Sequence, residues 1–291
     1  MYFNHGRAGT GKSALIDHYK AKSFAQEFTS TQRPVLVTRI SAKRDLDNTL
    51  VQMLYDLDLF GASQYRRLGF GPNLEQKLVD ALKLTKTELI IINEFQKILE
   101  YKSEQERQAI GNLLKYISEE AQVPIAFVGT PLAAQICEDP QWASRLIRRR
   151  RLKHFCFKDI NERRYYLSYL KGLASRMPVE FPPDLASPPF AIPLFAATRG
   201  ENRYIKTLLQ EALILALQEK NNTVSLAHLS AAYTSLVSEG VNVFELPFEQ
   251  LKLIEIETTL CSNSDMKTLD QAATGTQHTK PMNLNDILSV K

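Results

Sequence analysis

Near the N-terminus, the stretch HGRAGTGKSALIDHYKA (residues 5–21) contains the pattern Gly-x4-Gly-Lys-Ser, from Gly6 to Ser13. Glycines in such a loop let successive backbone N–H groups turn toward bound phosphates. Lys12 would place its ammonium on phosphate oxygens, and Ser13 would offer its hydroxyl to Mg²⁺. The residues that follow predict a helix whose N-terminus faces the phosphates, which an accidental glycine-rich turn would lack. We therefore expect binding of ATP with Mg²⁺ through Gly6, Arg7, Ala8, Gly9, Thr10, Gly11, Lys12, Ser13 and Ala14.

Hydrolysis of a nucleotide needs further groups, and the segment LIIINEF (89–95) supplies two candidates at the end of an apolar run. Glu94 has the residue type that polarises an attacking water. Asn93 stands where an Asp usually helps to hold the Mg²⁺ shell, and its amide would act through a metal-bound water. Because an amide brings no negative charge, we expect weaker Mg²⁺ binding and slower hydrolysis. The alternative is that both residues only cap a strand.

Two further segments carry polar residues suited to the same site. Thr130 ends the apolar run in FVGTP (127–131), where a hydroxyl would contact the γ-phosphate or the attacking water. The segment DPQWASRLIRRRRLKHF (139–155) contains the candidates for an arginine that reaches a neighbouring subunit's γ-phosphate, Arg145 first and Arg148 second. For Arg149 to Arg151 the alternatives are a solvated face or a patch that contacts a phosphate backbone.

Arg203 begins a predicted helix in ATRGENRYIKTLLQEA (197–212). An arginine in this position would contact the nucleotide and couple the state of the nucleotide to the second domain. The alternative is an exposed arginine at a helix start.

The elements that must position these residues alternate between strand and helix up to about residue 160. Segments 33–40, 87–95 and 123–130 predict buried parallel strands, and segments 45–59, 73–84 and 104–121 predict helices between them. This βαβ order predicts an α/β fold with a parallel sheet flanked by helices, and ligands bind at the C-terminal ends of such strands. We expect this domain to span residues 1–159.

The remaining chain predicts a small helical domain over residues 160–239 and a tail over 240–291. Predicted helices cover 160–176, 190–197, 201–220 and 225–238. A Pro-rich connector at 177–190 separates the first of them from the other three. Residues 261–283 are polar and typical of disorder. The apolar segments 243–256 and 284–290 are either docking segments for a partner or adhesive linker.

Composition narrows the class of protein. The net charge of +4 divides into +7 over residues 1–239 and −3 in the tail, which favours a polyanion as the partner of the body. No apolar run is long enough to span a bilayer, and the start lacks the order of a signal peptide. The three cysteines are widely separated, which is typical of reduced thiols. We expect a cytoplasmic protein without a membrane partner.

With these motifs in this order, the chain resembles AAA+ ATPases of the bacterial TniB/TnsC type, which regulate the target selection of transposons. The resemblance covers roughly residues 1–238 and is carried by GRAGTGKS, LIIINEFQKI, IAFVGTP, DPQWASRL and TRGENRYIKTLLQEA. The Phe95-Gln96 pair after the glutamate is typical of this group. The resemblance implies an AAA+ phosphate-loop core with a helical lid, and ATP-dependent assembly of the protein with itself into rings or filaments on double-stranded DNA.

The resemblance also implies partners and DNA contacts. Such proteins are recruited by a TniQ-type target selector and engage a DDE transposase. Their DNA contacts follow the second strand and the next loop, which here gives Lys43, Arg44, Arg66 and Arg67 as phosphate contacts without base specificity. Each of the four is equally consistent with a plain surface charge.

Two departures from the family pattern leave other hypotheses open. Asn93 allows a nucleotide-binding scaffold that assembles but does not turn over. Only MYFNH precedes Gly6, although in this family a longer segment completes the adenine pocket, so we expect a shortened N-terminus and weaker nucleotide affinity. A different AAA+ machine, associated with secretion or replication, is a third hypothesis, although neither a membrane segment nor a winged-helix domain is evident.

Overall fold

The computed structural model describes residues 1–24, 31–40, 46–57, 73–146, 148–157, 159–237, 241–248, 251, 253–254 and 281–282. The chain divides into two units, Met1–Lys153 and His154–Lys291. This division falls a few residues before the predicted boundary between 159 and 160. Phe155 and Phe157 explain the difference, because both rings pack against Tyr166 of the second unit.

A parallel five-stranded sheet forms the centre of the first unit, in the order β2-β3-β4-β1-β5. The apolar runs predicted as strands are confirmed, and Ile90, Ile92 and Phe127 are almost fully buried. Continuous burial is what a parallel strand covered on both faces requires. The strands are β1 (Tyr2–Gly6), β2 (Val35–Arg39), β3 (Leu89–Asn93), β4 (Ile125–Gly129) and β5 (Arg148–Leu152).

Helices connect the strands of this unit. They are α1 (Lys12–Phe24), α2 (Leu46–Asp56), α3 (Leu74–Leu84), α4 (Lys97–Tyr101), α5 (Glu104–Ala121), a 3-10 helix (Pro131–Glu138) and α6 (Pro140–Ala143). The three predicted helices are observed as α2, α3 and α5. Helix α5 begins where Ser103 and Glu106 form a capping box, in which each side chain accepts a hydrogen bond from the other residue's backbone N–H.

The arginine run forms strand β5, which the sequence pattern did not predict. It pairs in parallel with β1 and ends the sheet, and Arg148, Arg149 and Arg150 are exposed. An apolar or alternating pattern is the usual signal of a strand, and four consecutive arginines give none. Charged side chains on an edge strand also oppose pairing with a strand of another chain.

The second unit is mainly helical, with α7 (Ile160–Ala174), α8 (Pro188–Thr198), α9 (Asn202–Gln218) and α10 (Leu226–Leu236). These four helices match the predicted ones, although α8 begins earlier, at Pro188. Two-residue strands β6 (Leu253–Ile254) and β7 (Pro281–Met282) pair antiparallel.

The tail needs a correction in its first part. Phe244 and Leu251 are buried in the core of the second unit, and Val243 and Phe248 pack against that core. These side chains of segment 243–256, for which docking on a partner and adhesive linker were the two alternatives, therefore pack on helices of their own chain. The apolar segment 284–290 lies outside the described residues. In the described parts of the chain, no helix combines the length and apolar character that crossing a membrane requires.

Two helical glycines give opposite expectations for substitution by alanine. A Cβ at Gly111 of α5 would lie 2.9 Å from Trp142 Cζ2, and Trp142 is fully buried. We expect Gly111→Ala to destabilise the first unit, because overpacking costs about 1–3 kcal/mol and exceeds the helix-propensity gain of about 1 kcal/mol. A Cβ at Gly172 of α7 meets no atom of the described residues within 4 Å, so Gly172→Ala should stabilise by up to about 1 kcal/mol. Denaturant unfolding of both variants checks the pair, and stabilisation by Gly111→Ala would contradict the packing argument.

Candidate nucleotide-binding site

The loop between β1 and α1 has the backbone that the glycine pattern predicts. Gly9 and Gly11 adopt φ angles of 76° and 85°, in the left-handed region that favours glycine. Gly6 is needed for a different reason, because a Cβ there would lie 2.6 Å from the carbonyl oxygen of Leu152 on β5. The Thr10 hydroxyl donates to the Arg7 carbonyl oxygen at 2.9 Å. The loop is therefore shaped by its own bonds and by the neighbouring strand.

Lys12 is the first residue of α1 and extends its side chain back across the loop. Its Nζ donates to the carbonyl oxygens of Gly6 and Arg7, each at 2.6 Å, and the residue is 9% exposed. The ammonium and the positive end of the α1 dipole thus lie together at the loop. Both would attract phosphate oxygens, as the sequence predicts.

Ser13 and Asn93 line one cavity of about 620 Å³ beside the loop. The cavity lies at the C-terminal ends of β2 and β3, where ligands bind in open α/β sheets. Its other lining residues are Ile16, Asp17, Val37, Thr38, Arg39, Ile40, Gln52, Asp56 and Lys97. The two residues that the sequence assigned to Mg²⁺ therefore line the same cavity.

Mg²⁺ fits these residues as an ion held largely by its nucleotide. Among the described residues, no group of three or more His, Cys, Asp or Glu side chains is arranged to hold a metal. Mg²⁺ at nucleotide sites usually keeps several waters and is bound by one or two carboxylates plus substrate phosphates, and the Ser of a phosphate loop is a further ligand. The Ser13 hydroxyl would bind the ion directly, and the Asn93 amide oxygen would accept a hydrogen bond from a metal-bound water.

A sharp turn after β3 carries the candidate catalytic carboxylate. Glu94 has a φ of 56°, which is unusual for a residue other than glycine. The Asn93 Oδ1 accepts the Glu94 backbone N–H at 2.9 Å, and the Phe95 N–H donates to the Val128 carbonyl at 3.0 Å. Asn93 thus stabilises the turn, in addition to its predicted role toward Mg²⁺.

Gln96 is a site residue to which sequence reasoning assigned no role. It is 6% exposed, and its Nε2 donates to Glu94 Oε2 at 2.6 Å. Its Oε1 accepts the Thr130 backbone N–H at 3.0 Å. The structure therefore connects the predicted residues Glu94 and Thr130, at the ends of adjacent strands, through one buried amide. The sequence signals were its place two residues after the glutamate and the Phe95-Gln96 pair that is typical of the family resembled.

The candidate arginines occupy different environments. Arg145 packs at Gly111, where its Nη2 donates to Asn112 Oδ1 at 3.2 Å and its buried Nη1 has no hydrogen-bond partner among the described residues. Arg148 is exposed on the edge strand, with its guanidinium 5.7 Å from the Tyr2 ring centroid. Arg203 is exposed in the first turn of α9, in the second unit.

The predicted DNA contacts Lys43, Arg44, Arg66 and Arg67 lie outside the described residues.

His5 precedes the loop on β1 and shares its charged surroundings. Burial lowers the pKa of His5 below its ordinary value of 6.5, and the positive charges of Arg151 and Lys12 lower it further. The ring stacks on Phe3 with centroids 5.2 Å apart.

Comparison with known proteins agrees with this geometry. The family model of the bacterial TniB protein matches residues 3–155. A search of curated proteins finds no match. The structure of the Aeropyrum pernix ORC2 protein in its ADP form has a TM-score of 0.56 and 18% identity, over 98% of this chain and 76% of that chain. Cdc6p from Pyrobaculum aerophilum has a TM-score of 0.56 and 12% identity, over 82% of this chain and 62% of that chain.

These structural likenesses establish the fold. It is an AAA+ phosphate-loop core, and the predicted fold class is confirmed.

The lowered pKa of His5 predicts a loss of stability in mild acid. Below about pH 6.5 the unfolded chain binds a proton at His5 that the folded chain resists. The folded state should therefore become less stable as the pH falls from 6.5 through the folded pKa. His5→Gln should reduce this loss, measured as the change in thermal unfolding midpoint between pH 7.5 and 5.5. An equal change in the two proteins would contradict the assignment.

Proposed function

Because the chain belongs to the bacterial TniB family, we propose that it is an ATP-dependent regulator of DNA transposition. In this proposal it assembles with itself on double-stranded DNA and links target selection to the transposase. The observation that carries it is the closeness of two elements to β4. The phosphate loop directly follows β1, which pairs with β4, and the Phe95 N–H next to the Asn93-Glu94 turn donates to the Val128 carbonyl of β4. A TniQ-type target selector and a DDE transposase are the proposed protein partners.

ATP binding is proposed for the loop Gly6–Ala14. Its backbone N–H groups and the Lys12 ammonium would hold the phosphates. Ser13, with Asn93 through a water, would hold Mg²⁺, which neutralises phosphate charge when bound. Arg203 is proposed to contact the nucleotide from the helical unit.

Hydrolysis is proposed to use Glu94 as the group that accepts the proton of the attacking water. The water oxygen bonds to the γ-phosphorus, and the bond to the β-phosphate oxygen breaks as ADP leaves. Thr130 would orient the water or the γ-phosphate. Arg145 or Arg148 of a neighbouring subunit would stabilise the charge that develops.

DNA binding is supported by the charge of the body and by β5. Arg149 and Arg150 are exposed on this edge strand, and neither makes an ion pair within the described part of the chain. Lys43, Arg44, Arg66 and Arg67 remain the proposed contacts from the resemblance.

Asn93 supports a second proposal, a scaffold that binds ATP and assembles without turnover. An amide in place of the usual carboxylate lacks the charge that strengthens Mg²⁺ binding. The two proposals differ in the lifetime that they predict for the assemblies in ATP, because assemblies of a scaffold without turnover would persist.

Particle mass on a short DNA duplex tests the leading proposal. With ATP we expect large assemblies, and with ADP or without nucleotide we expect small species. Lys12→Ala should give small species with ATP as well, because the loop then lacks the ammonium that binds the phosphates. Small species of the wild-type protein under all three conditions would contradict the proposal.

The same material tests the contribution of β5 to DNA affinity. In the double variant Arg149→Gln/Arg150→Gln, the slope of log affinity against log salt should fall by about 0.9 for each phosphate that the variant no longer neutralises. Lys83→Gln/Lys115→Gln, on the exposed faces of α3 and α5, is the matched control for the removal of two positive charges. Equal slopes for the two double variants would exclude binding of DNA phosphates by β5.

A further inference from the structure

We propose that Gln96 is a positioning residue that aims the Glu94 carboxylate and connects it to the end of β4. The inference rests on the proposed ATP hydrolysis, in which Glu94 is the proton acceptor. It adds a residue to that reaction and a connection between Glu94 and Thr130.

The orientation of the Gln96 amide follows from its two partners. A backbone N–H can only donate, so the Thr130 N–H at 3.0 Å must face the amide oxygen. The amide NH₂ then faces Glu94 Oε2 at 2.6 Å. An N–H donor to one carboxylate oxygen fixes the direction of the carboxylate that accepts the proton in the proposed hydrolysis.

The surroundings of Gln96 show that its side chain has a dedicated place. Gln96 stands at the N-cap position of α4, yet its side chain does not cap that helix. It turns instead across Gly129, where a Cβ would lie 3.0 Å from the Gln96 Oε1. The absence of a side chain at Gly129 therefore leaves the space that the amide occupies.

This arrangement makes the position of Glu94 depend on β4. The Thr130 N–H fixes the amide oxygen, and the amide fixes one carboxylate oxygen. A shift of Thr130 would move the donor that Glu94 relies on. Misplacement of a catalytic group by about 1 Å can cost about a hundredfold in rate.

Single-turnover ATP hydrolysis tests the role with Gln96→Met, which keeps the side-chain length and removes both hydrogen bonds. We expect a rate loss of about tenfold to a hundredfold. The affinity for ATP should stay within about twofold, because Gln96 does not line the phosphate loop. Gln76→Met is the matched control, since Gln76 donates to Asp80 at 2.9 Å on the exposed face of α3.

A double variant separates positioning from a general structural effect. If Gln96 acts through Glu94, Gln96→Met should cause no further loss in a Glu94→Gln background. Equal fractional losses in both backgrounds would overturn the role. A strong effect of Glu94→Gln with no effect of Gln96→Met would overturn it as well.

Gln96→Glu gives an independent readout in a side chain of nearly the same shape. Its carboxylate still accepts the Thr130 N–H but opposes Glu94 with a like charge. The acid limb of the pH–rate profile should therefore move to higher pH. An unchanged profile would overturn the contact with Glu94. Equal rates of the wild-type protein and Glu94→Gln would instead overturn the proposed hydrolysis, and the role of Gln96 with it.

Discussion

The packing of the Phe95 ring holds the turn that carries Glu94. Phe95 is fully buried, with its ring centroid 4.3 Å from that of Phe127 and 5.5 Å from that of Trp142. Burial of such a side chain contributes about 1.5–3 kcal/mol, comparable to the roughly 1–3 kcal/mol that an unfavourable backbone angle costs. Glu94 can therefore keep its φ of 56° between two anchored neighbours. Because Phe95 lies between Glu94 and Gln96, the same contact positions both side chains.

The position of β1 in the sheet explains why loop and turn meet. β1 lies between β4 and β5, so the phosphate loop leaves the sheet beside the end of β4. Gln96 bonds to Thr130 just after β4, and Asn93 and Ser13 line one cavity. A site assembled from strand ends in this way needs close packing between strands, as the 2.6 Å approach at Gly6 illustrates.

Much of the fold could be predicted from the sequence because its strands and helices carry strong patterns. The buried strands around Ile91 and Phe127 are continuous apolar runs, and the phosphate loop has a fixed spacing of glycines. Strand β5 could not be predicted, since its arginines owe their strand structure to pairing with β1. The packing of Phe244 on the helical unit was missed for a similar reason, because burial depends on tertiary contacts.

The candidate site was predictable residue by residue only where a motif fixes the chemistry. Lys12, Ser13 and Glu94 stand at motif positions. Gln96 is positioned by two hydrogen bonds that the spacing of residues in the sequence does not predict. The roles of Arg145, Arg148 and Arg203 stay predictions, because each depends on a group beyond its own unit.

In the proposed function, the Asn93-Glu94 turn and the phosphate loop form one hydrolytic site. Its most direct test is the rate of ATP hydrolysis against Mg²⁺ concentration, for the wild-type protein and Asn93→Asp. An Asp carboxylate can accept the Glu94 N–H as the amide does, so the turn should persist. We expect turnover in both proteins, with the half-maximal rate at a lower Mg²⁺ concentration in the variant because the carboxylate adds negative charge. Wild-type turnover no greater than that of Lys12→Ala, with hydrolysis appearing only in Asn93→Asp, would contradict it.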